Sequence, residues 1–196
     1  MSEIDLQYQP WPKQCELHEC PANEILFGGA AGPGKSHALR MEALMWTQRI
    51  PGLQVYFFRR IYPELEKNHI IPALQSWPKG LGVYKDSKRR WEFNNGSMLH
   101  WCHAQYELDV LAYQGAEIHL LIIDELTTFT KFQYDYLVAR VRCTLDIPEP
   151  FSHKIPGIIT GSNPGGIGHN FVKARWVIPT DRGRKMLRAP ENEGGM

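Results

Sequence analysis

Three things are scarce in this 196-residue chain: cysteine, long apolar runs, and an excess of charge of either sign. Four cysteines, Cys15, Cys20, Cys102 and Cys143, are too few and too scattered to staple a chain of this size, which excludes a disulfide framework and predicts free thiols. No run approaches the roughly 18 apolar residues that a membrane span requires. The polar start Met1-Ser2-Glu3-Ile4-Asp5 has no signal-peptide core, so a cytosolic protein without membrane partners is expected. Lys and Arg number 22 against 21 Asp and Glu, a formal net charge of +1. That near-balance excludes steering of a polyanion by the whole molecule, and any contact with nucleic acid has to come from local patches. No repeat and no low-complexity segment is present. His100-Trp101-Cys102-His103 has metal-ligating residue types but lacks a second ligand pair at metal spacing, and on a strand His103 faces away from His100 and Cys102.

With 43% hydrophobic and 22% charged residues, the chain has the composition of one well-filled globular core. Its most specific segment is Gly29-Ala30-Ala31-Gly32-Pro33-Gly34-Lys35-Ser36, a complete G-x-x-x-x-G-K-S phosphate loop. The apolar run Ile25-Leu26-Phe27 precedes it and a helix-like stretch from His37 follows. Glycines open a backbone path in which successive N–H groups point at phosphate oxygens, at the positive end of the following helix. In that arrangement Lys35 reaches the β- and γ-phosphates and Ser36 holds Mg²⁺, so a nucleoside triphosphate is the expected ligand.

About ninety residues downstream, His119-Leu120-Leu121-Ile122-Ile123-Asp124-Glu125-Leu126 places four aliphatics before two acids. This is the pattern of a strand buried on both faces in a parallel sheet, with its charges at the C-terminal end, where open α/β sheets bind ligands. Asp124 is expected to serve Mg²⁺, and Glu125 to polarise the attacking water as a general base. A third apolar strand, Gly157-Ile158-Ile159-Thr160-Gly161, ends in Ser162-Asn163 before the turn at Pro164-Gly165-Gly166. Asn163 is suited to sensing the γ-phosphate or the lytic water, while an ordinary strand followed by an Asn-Pro turn fits the same residues. The order of loop, Asp-Glu strand and polar strand end is that of motor-type ATPases, which carry an additional catalytic Glu.

Strands and helices alternate along the chain. Strand 24–28, helix 35–48, strand 53–59, helix 63–75, the Asp-Glu strand, helix 131–142, a strand into Asn163 and helix 169–176 predict an α/β fold: a mainly parallel sheet with helices on both faces, of the P-loop NTPase class. Trp91 to Trp101, alternating around Asn95-Gly96, predicts one β-hairpin insertion and one antiparallel interruption. Residues 1–178 are read as the ATPase unit, with an entry segment 1–23, and 179–196 as a polar tail.

Taken together, these segments resemble the large terminase subunit, the DNA-packaging motor of tailed bacteriophages. The resemblance covers most of the chain: Gln14 in Trp11-Pro12-Lys13-Gln14, Gly28 to Ser36, Tyr56-Phe57-Phe58-Arg59-Arg60, Tyr113-Gln114-Gly115-Ala116-Glu117, Leu121 to Leu126 with Phe129-Thr130, Tyr136 to Arg142, and Thr160 to Gly166. It implies that Gln14 contacts adenine, that Lys35 and Ser36 are the loop residues, that Asp124 and Glu125 are the acid pair, and that Thr160 to Pro164 is the coupling motif. It also implies double-stranded DNA as partner, a homo-oligomeric ring assembled with a portal and a small terminase subunit, and work in the cytoplasm of the infected bacterial host. Family members carry a C-terminal nuclease domain, whose acidic metal ligands have no counterpart here, so an N-terminal ATPase portion is expected, without nuclease activity. Some terminases have an arginine where Gln114 stands, which puts a catalytic arginine at that position in doubt.

For the arginine delivered to the γ-phosphate, often by a neighbouring subunit, the candidates are Arg59, Arg60, Arg140 and Arg142, with Arg142 preferred. DNA could be gripped by Lys85-Asp86-Ser87-Lys88-Arg89-Arg90-Trp91, or by the basic C-terminal stretch with Lys173, Arg175, Arg182, Arg184, Lys185 and Arg188. Three other readings stay open. A small-molecule kinase would not need Glu125 beside Asp124. A nucleotide-dependent scaffold would not turn over. A RecA-like or helicase-like, nucleic-acid-stimulated ATPase of another system shares all three motifs.

Overall fold

A computed structural model describes residues 8–29 and 34–181. Seven strands form one sheet in the order β1-β7-β6-β2-β5-β4-β3: β1 (Glu24–Gly28), β2 (Gln54–Arg59), β3 (Gly82–Lys85), β4 (Arg90–Phe93), β5 (Met98–His103), β6 (Leu120–Ile123) and β7 (Gly157–Ser162). The five strands from β1 to β5 in that order pair in parallel. The β4 and β3 strands extend the far edge in antiparallel fashion.

The four aliphatics of β6 explain why the sheet is covered on both sides. Leu120 and Ile122 point into one core with Leu39, Leu44 and Phe57, while Leu121 and Ile123 point into a second with Phe58, Tyr134 and Leu137. The first core is built on α2 (Lys35–Arg49) and on the helical stretch after β2. The second is built on α5 (Lys131–Val138) and α6 (His169–Val172). All four cysteines are free. Among the described residues no helix is long and apolar enough to cross a membrane.

Four local expectations need correction. The helix expected over 63–75 is α3 (Tyr62–Leu65), a π turn over Glu66–Ile70, and α4 (Ile71–Ser76). The turn widens where Pro72, lacking an N–H, cannot bond the carbonyl four residues back. The helix expected to reach Arg142 stops at Val138, because the chain is captured by the N-terminal end of β6: Ile118 N–H donates to Arg140 O at 3.1 Å, and Arg142 N–H to Ile118 O at 2.9 Å. Helix 169–176 divides into α6 and a π turn over Lys173–Val177. The hairpin around Asn95-Gly96 is present, but β5 belongs to the parallel part of the sheet, and β3 adds a second antiparallel pair. With only four residues and half its side chains exposed, β3 carries too weak an alternation to be read from sequence.

Candidate functional site

Strands β1, β6 and β7 are neighbours in the sheet and end on the same side, so their C-terminal ends bring together segments far apart in the chain. The phosphate loop leaves β1 here. Of its residues, Ala30, Ala31, Gly32 and Pro33 lie outside the described ones. Gly29 follows β1, and Gly34, with φ of 108°, opens α2. A side chain at Gly34 is doubly excluded, since a Cβ would also stand 2.6 Å from Gln14 Nε2. Lys35 Nζ donates to Gly29 O at 3.4 Å, across the mouth of the loop.

Ser36 Oγ donates to Asp124 Oδ2 at 2.9 Å, a contact between residues 88 apart in sequence. Gly161 on β7 makes room for it, because a Cβ there would come within 2.6 Å of Leu39 Cδ1 and 3.2 Å of Asp124 Oδ1. Asp124 is 2% exposed, and its Oδ2 also accepts from Arg59 Nη1 and from His69 Nε2, the latter at 2.9 Å. Burial pushes the Asp124 carboxyl up, but His69, Arg59 and Ser36 together outweigh it and hold its pKa below the usual carboxylate value. Burial also pushes the His69 imidazole down against the pull of Asp124, so a neutral ring donates through Nε2. Arg59, at the end of β2, divides its guanidinium between Asp124 and Glu64, whose Oε2 lies 3.0 Å from Nε.

Glu125 has a left-handed backbone, φ 57° and ψ 51°, which turns its side chain away from Asp124 and toward β7. There its Oε1 accepts from Asn163 Nδ2 at 3.0 Å. The Asn163 backbone carbonyl is held by Thr127 Oγ1 at 3.0 Å. Burial, and then repulsion from Asp124, raise the Glu125 pKa, with Arg59 and Lys35 acting the other way. Ser36 and Asp124 thus present a hydroxyl and a carboxylate in contact, hard oxygen donors of the kind Mg²⁺ takes.

The decisive comparison is with protein families. The family model described as the terminase large subunit, T4likevirus-type, N-terminal, matches residues 26–152. The chain belongs to this family. No curated protein matches it. Among solved structures, the large terminase of a thermophilic bacteriophage superposes with a TM-score of 0.68 at 18% identity, over 88% of this chain and 44% of that one. The same terminase in complex with ATP-gamma-S gives 0.64 at 16%, over 87% and 42%. The large terminase ATPase domain of Thermus phage P74-26 gives 0.50 at 15%, over 89% and 88%. At these identities the likeness shows the terminase fold, and the chain spans less than half the length of the first of these proteins.

Within this terminase chain, Lys35, Ser36, Asp124, Glu125 and Asn163 lie at one sheet end. Gln14, on α1 (Pro12–Glu19), is 5% exposed and joins them through Nε2, which donates to Gly34 O at 2.9 Å, while Oε1 accepts from Trp11 N–H. Arg142 is not brought there. It is exposed, and its N–H is bonded to Ile118 at the opposite end of β6, six residues before Asp124 and about 20 Å from it along the strand direction. Arg60 is committed to Gln133 Oε1, and Arg140 lies 4.6 Å over the Tyr136 ring. Of the DNA candidates, Lys85 to Arg89 is exposed, but Trp91 is 7% exposed and packs against Trp77 at 5.0 Å, so its ring is withheld from any base. Arg175 is paired with Glu24, and residues 182–188 lie outside the described ones.

Sequence reasoning did not single out His69, and it treated Arg59 only as a finger candidate. The one signal for His69 was Pro72 within a helical pattern, which marks a break without saying what the break presents.

Proposed function

We propose that this chain is the ATP-hydrolysing part of a large terminase, spanning residues 1–178, which drives double-stranded viral DNA into a procapsid. The contact of Ser36 with Asp124, beside the Glu125–Asn163 pair, carries this reading, because it assembles a phosphate-loop hydroxyl, a depressed carboxylate and a raised one at a single sheet end. A structural relative in complex with ATP-gamma-S supports the nucleotide, and a likeness to the phi-29 genome packaging motor assembly, TM-score 0.51 at 18% identity, supports the setting.

In this mechanism Lys35 and the N–H groups at the start of α2 hold the phosphates, and Gln14 borders the adenine. Ser36 and Asp124 would hold Mg²⁺, which supplies neutralisation of phosphate charge when bound. Glu125 takes a proton from water as its oxygen bonds to the γ-phosphorus and the bridging bond to ADP breaks. A raised pKa makes it the better acceptor of the two acids. Asn163 holds Glu125 in line and reports the state of the phosphate to β7. Arg142 is too far to act within its own chain, so its role is in trans, across a homo-oligomeric ring that meets a portal and a small terminase subunit in the host cytoplasm.

Phosphate release in a single turnover, with and without double-stranded DNA, tests the reading. The expected outcome is slow release by the chain alone, rising with DNA and with protein concentration. ATP binding without any release would leave a nucleotide-dependent scaffold, and release indifferent to DNA would remove the motor.

A further inference from the structure

We propose that His69 is a positioning residue for the Asp124 carboxylate, delivered by the π turn, and that it sets how tightly Ser36 and Asp124 take a divalent cation. This inference rests on the ATPase reading above.

The device begins with a proline. In a regular helix the Pro72 N–H would bond Asn68 O; Pro72 has none, and Arg40 Nη1 on α2 donates to Asn68 O at 2.9 Å instead. The helix that follows the phosphate loop is thereby pinned to the widened turn, and the next residue, His69, is aimed inward. Its ring is 0% exposed, 4.4 Å from the centroid of Phe57 and stacked over Trp101. Nε2 meets Asp124 Oδ2 at 2.9 Å, and Nδ1 has no hydrogen-bond partner among the described residues. Burying a polar ring with one nitrogen unmatched is a poor way to fill space, and Leu would fill it at lower cost. The single polar contact the ring makes is therefore what the position supplies.

Three donors converge on Oδ2, and they differ in freedom. Ser36 can turn toward a ligand, and Arg59 already shares itself with the half-exposed Glu64. His69 is walled by aromatics and cannot leave. It keeps Oδ2 in place while the other two exchange partners, as residues behind metal ligands do, where loss typically costs about 10–100-fold in metal affinity.

The test titrates Mg²⁺ against the purified chain with a fluorescent ADP analogue and reads the Mg²⁺ concentration for half-maximal tightening, with folding checked by circular dichroism. His69→Leu should raise that concentration about tenfold and leave metal-free nucleotide affinity unchanged. His69→Gln, whose amide nitrogen can stand where Nε2 stands, should restore it to within about threefold, while His69→Asn, too short to reach, should not. An unchanged half-point in folded His69→Leu overturns the proposal. If that variant does not fold, equal half-points for the Gln and Asn variants overturn it, and the expected difference between them supports it. A wild-type chain whose nucleotide binding ignores Mg²⁺ overturns the ATPase reading itself, and His69's role with it.

Discussion

Strand β6 ends in a multiply bonded carboxylate on both sides, and the two ends have little else in common. At the C-terminal end, Asp124 accepts from Ser36, Arg59 and His69, is buried, and stands against the phosphate loop. At the N-terminal end, Glu117 accepts from the Thr144 hydroxyl at 2.7 Å, from the Thr144 N–H at 2.8 Å and from His119 Nε2 at 3.0 Å, and it lies at the surface. Both carboxyls have depressed pKa values, Glu117 at about 2. A carboxylate rich in donors is thus no mark of a site. What distinguishes Asp124 is that the carboxylate is itself buried and that one of its donors lies in the first turn of the helix that follows the phosphate loop.

Four measurements can break or sharpen this contrast. The largest effect is expected at the residue beside Asp124: Glu125→Gln should cut turnover by about two to four orders of magnitude while ATP binding persists, and a rate equal to wild type would remove Glu125 from the chemistry. Next, Asp124→Ala leaves the buried His69 Nε2–H without its acceptor while Arg59 keeps Glu64, and should cost about 1–3 kcal/mol of stability in denaturant melts. A small loss would mean that the cluster opens to water when the acid is removed. Asn163→Ala removes a hydrogen bond to a charged group, worth about 1.5–3 kcal/mol, so kcat should fall about ten- to a hundredfold with KM little changed. A change in KM alone would make Asn163 a binding residue instead.

The smallest effect belongs to the other end of β6. A depressed pKa means that Glu117 contributes stability above its unfolded pKa of about 4.3, and that this contribution is lost as pH falls toward 2. The melting-temperature gap between wild type and Glu117→Gln should be modest at neutral pH and close across that acid range. A gap independent of pH would show that the Thr144 contacts serve packing rather than charge.

The two ends were not equally legible in the sequence. Lys35, Ser36, Asp124 and Glu125 could be found because a phosphate loop and a four-aliphatic strand are local patterns, and β6 has the buried length that its residues announced. His69, Arg40 and Arg59 belong to the same cluster by tertiary contact alone. Arg59 read as a candidate for the γ-phosphate because nothing in Tyr56-Phe57-Phe58-Arg59-Arg60 tells that a carboxylate 65 residues away will meet it. Arg142 read as part of a helix because 131–142 has helical spacing throughout, and only the pairing of Val141 with Ile118 breaks it. The antiparallel edge was half visible: an Asn-Gly turn is a local signal, whereas β3 exists because β4 offers it a partner.

The order of the strands also bears on how the protein is made. The phosphate-loop strand β1 lies at the rim of the sheet, and its sole strand partner among the described residues is β7, Glu24 aligning with Ile158 and Gly28 with Ser162. A ribosome delivers β1 before β2 to β6 and its partner after them, so Ile25, Leu26 and Phe27 wait unpaired while the five intervening strands are made. Closing that pair joins residues more than 130 positions apart, a non-local step of the kind that slows folding. The nascent chain therefore completes its nucleotide pocket only once β7 has emerged rather than piece by piece, and a chain released before then would hold the loop residues without a sheet to anchor them.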